Sequence, residues 1–256
     1  MAIALKNLSG QVKSKLGNYP DIGQVFYMVD SNYRTTAQGW SNAAGTGPLD
    51  LFASYGDSAE TYVYYAPGTG QPSGVTYATD AAAIQAVIDA MTDFRGDTLF
   101  FTPGAYSVAT ALAINVPDAR WLGPKCSHPT LAAASLTNVG ALMYGVTAAA
   151  DRMEIGYLQL IPVTAQTMFD FGAVQGFYGH DLFINMDGVT ASTSTIPFVF
   201  ATASEFISFD RNYVWCDGAQ GPWIQAAGIL KGLTVSNFEI FQEAGSWAAA
   251  IELAGV

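Results

Sequence analysis

Residues 79–123 read TDAAAIQAVIDAMTDFRGDTLFFTPGAYSVATALAINVPDARWLG, and this stretch decides the fold. Its first part is helical. Asp80 stands where a negative charge favours the helix dipole, and Ile84, Val87, Ile88 and Met91 recur on one face. The spacing predicts a helix from Asp80 to about Met91 with one apolar face to bury. Residues 98–102 are then rich in strand formers, Pro103-Gly104 marks a turn, and 106–108, 112–114 and 121–123 are short apolar runs. Strands this short do not suit a sandwich. They fit a wound solenoid whose first coil is covered by the helix, because bare strand edges would otherwise pair with other chains.

A weak repeat continues the pattern from about Met153. Residues 157–161 (YLQLI), 182–187 (LFINMD), 212–217 (NYVWCD) and 238–243 (FEIFQE) align through positions 158, 182, 212 and 238, which lie 24, 30 and 26 residues apart. A second series, 168–171 (MFDF), 197–200 (PFVF) and 222–224 (PWI), precedes three of them. A coil that cannot bury its apolar face alone needs stacked neighbours, so this spacing fits one β-helix. The alignment points Leu158, Leu160, Leu182, Ile184, Met186, Val214, Cys216, Phe238 and Ile240 inward. A shift of one residue would reverse the two faces.

The order Asp80, Ala83-Ile84-Gln85, Val87-Ile88-Asp89, residues 98–101, Pro103-Gly104, Tyr106, Leu112, Ile114, Leu122 and Gly123 resembles the opening of pectate-lyase-like right-handed β-helices. Bacteriophage tailspikes and related virion proteins use that opening. The resemblance implies an all-β chain: a right-handed parallel β-helix of about six or seven coils with an N-terminal capping helix. It does not choose an activity, because lyases, hydrolases and inert spikes share the fold.

Residues 1–75 follow another pattern, with breaks at Gly45-Thr46-Gly47-Pro48 and Gly68-Thr69-Gly70-Gln71-Pro72 and strand-like runs at 25–29 and 62–65. They are expected to form an irregular attachment arm, with 76–256 as the β-helix domain. Lys6, Lys13 and Lys15 fall in this arm before the first acid, Asp21, and suit docking on an acidic surface of other virion proteins, capsid or tail.

Charged residues are 12% of the chain against roughly 25% in an average soluble domain, and half the chain is apolar. A surface so poor in charge is expected to be covered by other subunits; the resemblance to spikes implies a homotrimer. Ten Lys and Arg against 21 Asp and Glu give a net charge of −11, which opposes nucleic acid. Cys126 and Cys216 are the only cysteines, and His128 and His180 the only histidines. These four are read as structural, with no metal site and no cofactor. Phosphate-loop, GxSxG and HExxH motifs do not occur. The N-terminus lacks an apolar signal region, and no apolar run reaches the ~18 residues that span a bilayer. No membrane insertion is expected. The expected location is the virion, after synthesis in the host cytoplasm.

On the outward face the alignment forms three columns: Phe183, Tyr213 and Glu239; Asn185, Trp215 and Phe241; Asp187, Asp217 and Glu243. Stacked strands lie about 4.8 Å apart. Adjacent carboxylates of the third column could then approach the ~5 Å of a retaining glycosidase, and the outer pair the ~6.5–9.5 Å of an inverting one. Phe183, Tyr213, Trp215 and Phe241 suit sugar rings or a subunit interface. Asp187-Gly188 and Asp217-Gly218 also read as ordinary turns. The favoured reading is a virion structural protein, a projecting decoration, spike or fibre component that contacts host glycans. The alternative is a tailspike depolymerase, a lyase or glycoside hydrolase using Asp187, Asp217 or Glu243 as acid and base.

Overall fold

The computed structural model describes residues 26–30, 61–66, 73–77, 79–94, 96–138, 143–145, 150–162, 167–186, 195–200, 203–216, 221–243 and 250–253. Short apolar runs at near-constant spacing wind into three parallel sheets, so that each strand pairs with its counterpart one coil on. Sheet A holds β1 (Phe26–Asp30), β4 (Thr98–Phe101), β7 (Arg120–Leu122), β10 (Glu154–Gly156), β13 (Tyr178–His180), β16 (Ser204–Asp210) and β19 (Leu230–Ser236), with the hairpin β2 (Thr61–Ala66) and β3 (Ser73–Tyr77) at its start. Sheet B holds β5 (Gly104–Val108), β8 (Ala134–Asn138), β11 (Gln159–Ile161), β14 (Phe183–Met186), β17 (Tyr213–Cys216) and β20 (Glu239–Gln242). Sheet C holds β6 (Leu112–Ile114), β9 (Met143–Gly145), β12 (Thr167–Phe171), β15 (Ile196–Phe200), β18 (Ile224–Ala226) and β21 (Ile251–Leu253). The fold is an all-β parallel solenoid. Sheets B and C are each 6 strands deep, about five turns from first strand to last.

The inward set follows the apolar alternation. Leu158, Leu160, Leu182, Ile184, Met186, Val214 and Cys216 are fully buried. Rings continue down the interior, where Phe169 stacks on Phe198 at 5.2 Å and Phe171 on Phe200 at 5.6 Å. Phe238 reaches the buried Trp223, and Ile240 pairs with Val214 in register, yet both side chains are more exposed than their counterparts. Among the described residues no later coil stacks on them.

Helix α1 (Asp80–Ala90) begins at Thr79, whose side chain caps the Ala82 N–H, and buries Ile84, Val87 and Ile88, with Met91 buried just beyond it. It covers the first coil through polar contacts as well. The Asp80 carboxylate accepts from the Ser107 N–H of β5 at 2.6 Å. The Gln85 amide accepts from the Ala113 N–H of β6 at 2.9 Å and donates to its carbonyl at 3.3 Å, as a neighbouring strand would. The third edge of that coil, β4, is paired in parallel by β1. Two strands within residues 1–75, β1 and β2, and a third that crosses residue 75, β3, therefore lie on sheet A, while Lys6, Lys13 and Lys15 lie outside the described residues.

Both corners of sheet A turn through left-handed backbone. Phe94, Asp118 and Arg152 precede its strands with φ of 56–63°, Phe206 lies inside β16 with φ 57°, and Tyr157, Asp181, Arg211 and Asn237 follow its strands with φ of 49–58°. Left-handed geometry costs a non-glycine residue about 1–2 kcal/mol. Hydrogen bonds between coils offset this cost: Tyr157, Asp181 and Arg211 each donate a backbone N–H to the carbonyl of His180, Asp210 and Ser236 in the following coil.

Candidate functional site

The outer face of sheet B carries the aromatic columns in the expected register. Phe183 pairs with Tyr213 and Tyr213 with Glu239, while Asn185 pairs with Trp215 and Trp215 with Phe241. The rings meet one another by their edges or at a tilt: Phe183–Tyr213 at 5.7 Å, Phe183–Trp215 at 6.4 Å and Trp215–Phe241 at 5.5 Å. Phe183 is enclosed, Tyr213 and Trp215 are half-buried, and Phe241 is 46% exposed. The Trp215 indole N–H is buried with no acceptor, so this side chain offers a ring rather than a donor. Of the carboxylate column, Glu243 is exposed and its backbone N–H donates to the Cys216 carbonyl. Asp187 and Asp217 lie outside the described residues.

A strap crosses towards these rings. The connection between β7 and β8 leaves sheet A at Gly123, forms a single 3-10 turn at Pro129–Leu131, and returns to β8. Its His128 ring packs edge-on against Tyr213 at 5.7 Å, although β17 lies three strands beyond β8 in sheet B. Three strand spacings are about 14 Å, so this strap stands beside the aromatic columns as a wall. Cys126 lies on its path. Burial and the nearby Asp181 carboxylate push the Cys126 thiol up from its usual range.

The outer face of sheet A, towards its corner with sheet B, holds a charge ladder. His180 donates from Nε2 to Glu154 at 3.0 Å and from Nδ1 to Asp181 at 2.8 Å, with its side chain only 5% exposed. Arg120 pairs with Glu154 at 3.3 Å, and Arg211 grips Asp181 at 2.9 and 2.6 Å. The charges thus alternate + − + − + over four coils, with His180 and Asp181 neighbours in one of them. Burial opposes the charge on His180, but the two carboxylates outweigh it and raise its pKa. Burial likewise pushes Glu154 and Asp181 up, and their cationic partners reverse this, holding both below the usual carboxylate range. Tyr157 meets the imidazole edge-on at 5.0 Å, and Tyr178 stacks on it at 4.7 Å. Gly156 makes room beneath, because a Cβ there would lie 2.4 Å from the ring.

The carboxylates sit on opposite sides of the imidazole and share no common point with it. Accordingly, among the described residues no group of His, Cys, Asp and Glu is placed to hold a metal ion. The sequence alone singles out none of the ladder and marks His180 only as structural. The signal was present: carrying the alignment four residues back places Glu154, Tyr178, Ser208 and Thr234 in one column. The diagonal links from His180 to Glu154 and from Arg211 to Asp181 depend on the corner geometry, which the identities do not announce.

Comparison of the chain with family models, with curated proteins and with solved structures found no match.

Proposed function

We propose that the chain is a bacteriophage virion component, a projecting β-solenoid that holds host-surface glycan on the outer face of sheet B without turning it over. The observation that carries this reading is the aromatic shelf of Tyr213, Trp215 and Phe241, ordered by strand pairing and left partly open. Sugars present flat C–H faces between hydroxyls, and rings fixed on paired strands meet such faces with little further ordering. The low charge of the chain supports assembly as a trimer through its other surfaces. Lys6, Lys13 and Lys15 suit an attachment arm docked on capsid or tail protein.

The test is binding of the purified chain to bacterial capsule and lipopolysaccharide glycans, with solution size measured alongside. Retained binding that Trp215→Ala abolishes, with no reducing ends released, is the expected result. Release of reducing ends that Asp217→Asn stops would instead assign a depolymerase. A stable monomer would contradict the trimer.

A further inference from the structure

We propose that His128 on the strap is a saccharide-contacting residue, and that with Tyr213 and Trp215 it forms a subsite for a neutral sugar ring. This rests on the glycan reading of sheet B and adds to it a residue, a donor atom and a ligand class.

The tautomer of His128 follows from its surroundings. Its side chain caps the 3-10 turn, with Nδ1 accepting from the Thr130 backbone N–H at 3.4 Å and lying 2.9 Å from the Thr130 hydroxyl. A nitrogen that accepts carries no proton, so the neutral ring holds its proton on Nε2. That Nε2–H belongs to an exposed side chain packed edge-on against Tyr213.

Among the four shelf rings only the Tyr213 hydroxyl offers another directed group. The Trp215 N–H is enclosed, Phe183 and Phe241 have no polar side-chain atom, and Phe183 meets Tyr213 and Trp215 through ring contacts. A sugar ring needs both an apolar platform and directed hydrogen bonds to its hydroxyl oxygens. The strap brings a second directed donor to the platform from three strands away. The ligand class follows from charge: Glu239 stands directly beside Tyr213 in its column, Glu243 lies just beyond, and the chain carries −11. A uronic-acid sugar would meet like charge there, whereas a neutral one would not.

The two histidines make the test direct. Their imidazole proton and nitrogen signals are followed by NMR in the full chain and assigned with His128→Asn, while cellohexaose, maltohexaose, mannohexaose and hexamannuronate are titrated in turn. His180, closed in its ladder, is the internal control. The expected result is a saturating shift of the His128 signals with at least one neutral hexasaccharide, an unprotonated Nδ1, and unmoved His180 signals. His128→Asn keeps an acceptor for Thr130 but removes the Nε2 donor, and should weaken binding about tenfold, as loss of one good hydrogen bond does. His128→Gln, which restores an N–H near that point, should recover part of the loss.

Neutral binding that moves other signals, leaves His128 unmoved and is unchanged in His128→Asn would overturn the subsite while leaving the glycan reading intact. Preference for hexamannuronate would overturn the neutral class. No shift with any of the four would count against the subsite and the glycan reading together.

Discussion

On the outer face of sheet A, Arg120, Glu154, His180, Asp181 and Arg211 satisfy one another across successive coils. On the outer face of sheet B, Tyr213 meets Phe183 and Trp215 meets Phe241 by ring edges, and Tyr213, Trp215 and Phe241 keep part of their surface open. Both faces rest on the same parallel pairing, which repeats a position every coil and turns each outward residue into a column. The difference lies in what fills the columns. Opposite charges linked within a column, as Arg120 and Glu154 are, or diagonally between coils, as Glu154 and His180 are, close a face by pairing and stabilise it. Stacked aromatics have no partner valence to exhaust, so they leave a surface for something else. A solenoid can therefore put its fastening and its recognition on adjacent faces of one coil.

The comparison can be broken most forcefully at His180. His180→Ala leaves Glu154 and Asp181 facing each other across a cavity, and breaking an enclosed ion pair costs about 3–5 kcal/mol. At roughly 2–4 °C per kcal/mol for a chain of this size, the midpoint of thermal unfolding should fall by about 6–20 °C. A fall of less than ~2 °C would show that the ladder is ornamental. Gly156→Ala should act in the same direction by about 1–3 kcal/mol, because its Cβ would collide with the His180 ring.

Gln85→Ala tests the end of the rod rather than its faces. It removes both hydrogen bonds to Ala113 from the edge of β6 and should cost about 1–3 kcal/mol. Amide exchange at Ala113 should accelerate first. If Ala113 remains as protected as in the parent chain, helix α1 covers that edge by packing alone.

The charge ladder also sets a pH window. His180 has a raised folded pKa, so its contribution is full below its unfolded value of about 6.5 and is lost as pH rises through the folded value. Glu154 and Asp181 have lowered folded values, so theirs is full above about 4.3 and is lost as pH falls. Arg120, Arg211, Tyr157, Tyr178 and Asp210 are the other charged or titratable groups that surround the group. Stability should peak between about pH 4.5 and 6.5, and the peak should flatten in His180→Gln. A parent chain with no decline on the alkaline side would contradict a charged His180.

The smallest effect belongs to sheet B. Phe241→Ala, at a half-exposed position, should change stability by about 0.5 kcal/mol or less while weakening glycan binding. A large loss of stability there would mean that the shelf is core after all.

Much of this arrangement was legible in the chain. The alternation around Leu158, Leu182, Val214 and Ile240 set the register, because one face had to be apolar at every coil, and the helix from Asp80 was legible from its period. The corners were not. Tyr157 reads as the first residue of a strand, yet it turns the corner with φ 58° and β11 begins at Gln159. Phe94 takes the same left-handed geometry without any local signal for it, because the hydrogen bond that holds its N–H comes from the Pro117 carbonyl of the next coil. The same reason hid the candidate site's polar half. Arg211 meets Asp181, and His128 meets Tyr213, only once coils distant in sequence are stacked.

The most direct test of the division between the two faces is a paired measurement on Trp215→Ala and His180→Gln, reading thermal unfolding and glycan binding for each. The account predicts that Trp215→Ala loses binding with its unfolding midpoint within a few degrees of the parent, and that His180→Gln loses stability while its folded fraction binds as the parent does. Binding lost in His180→Gln and retained in Trp215→Ala would contradict it and move the functional face to sheet A.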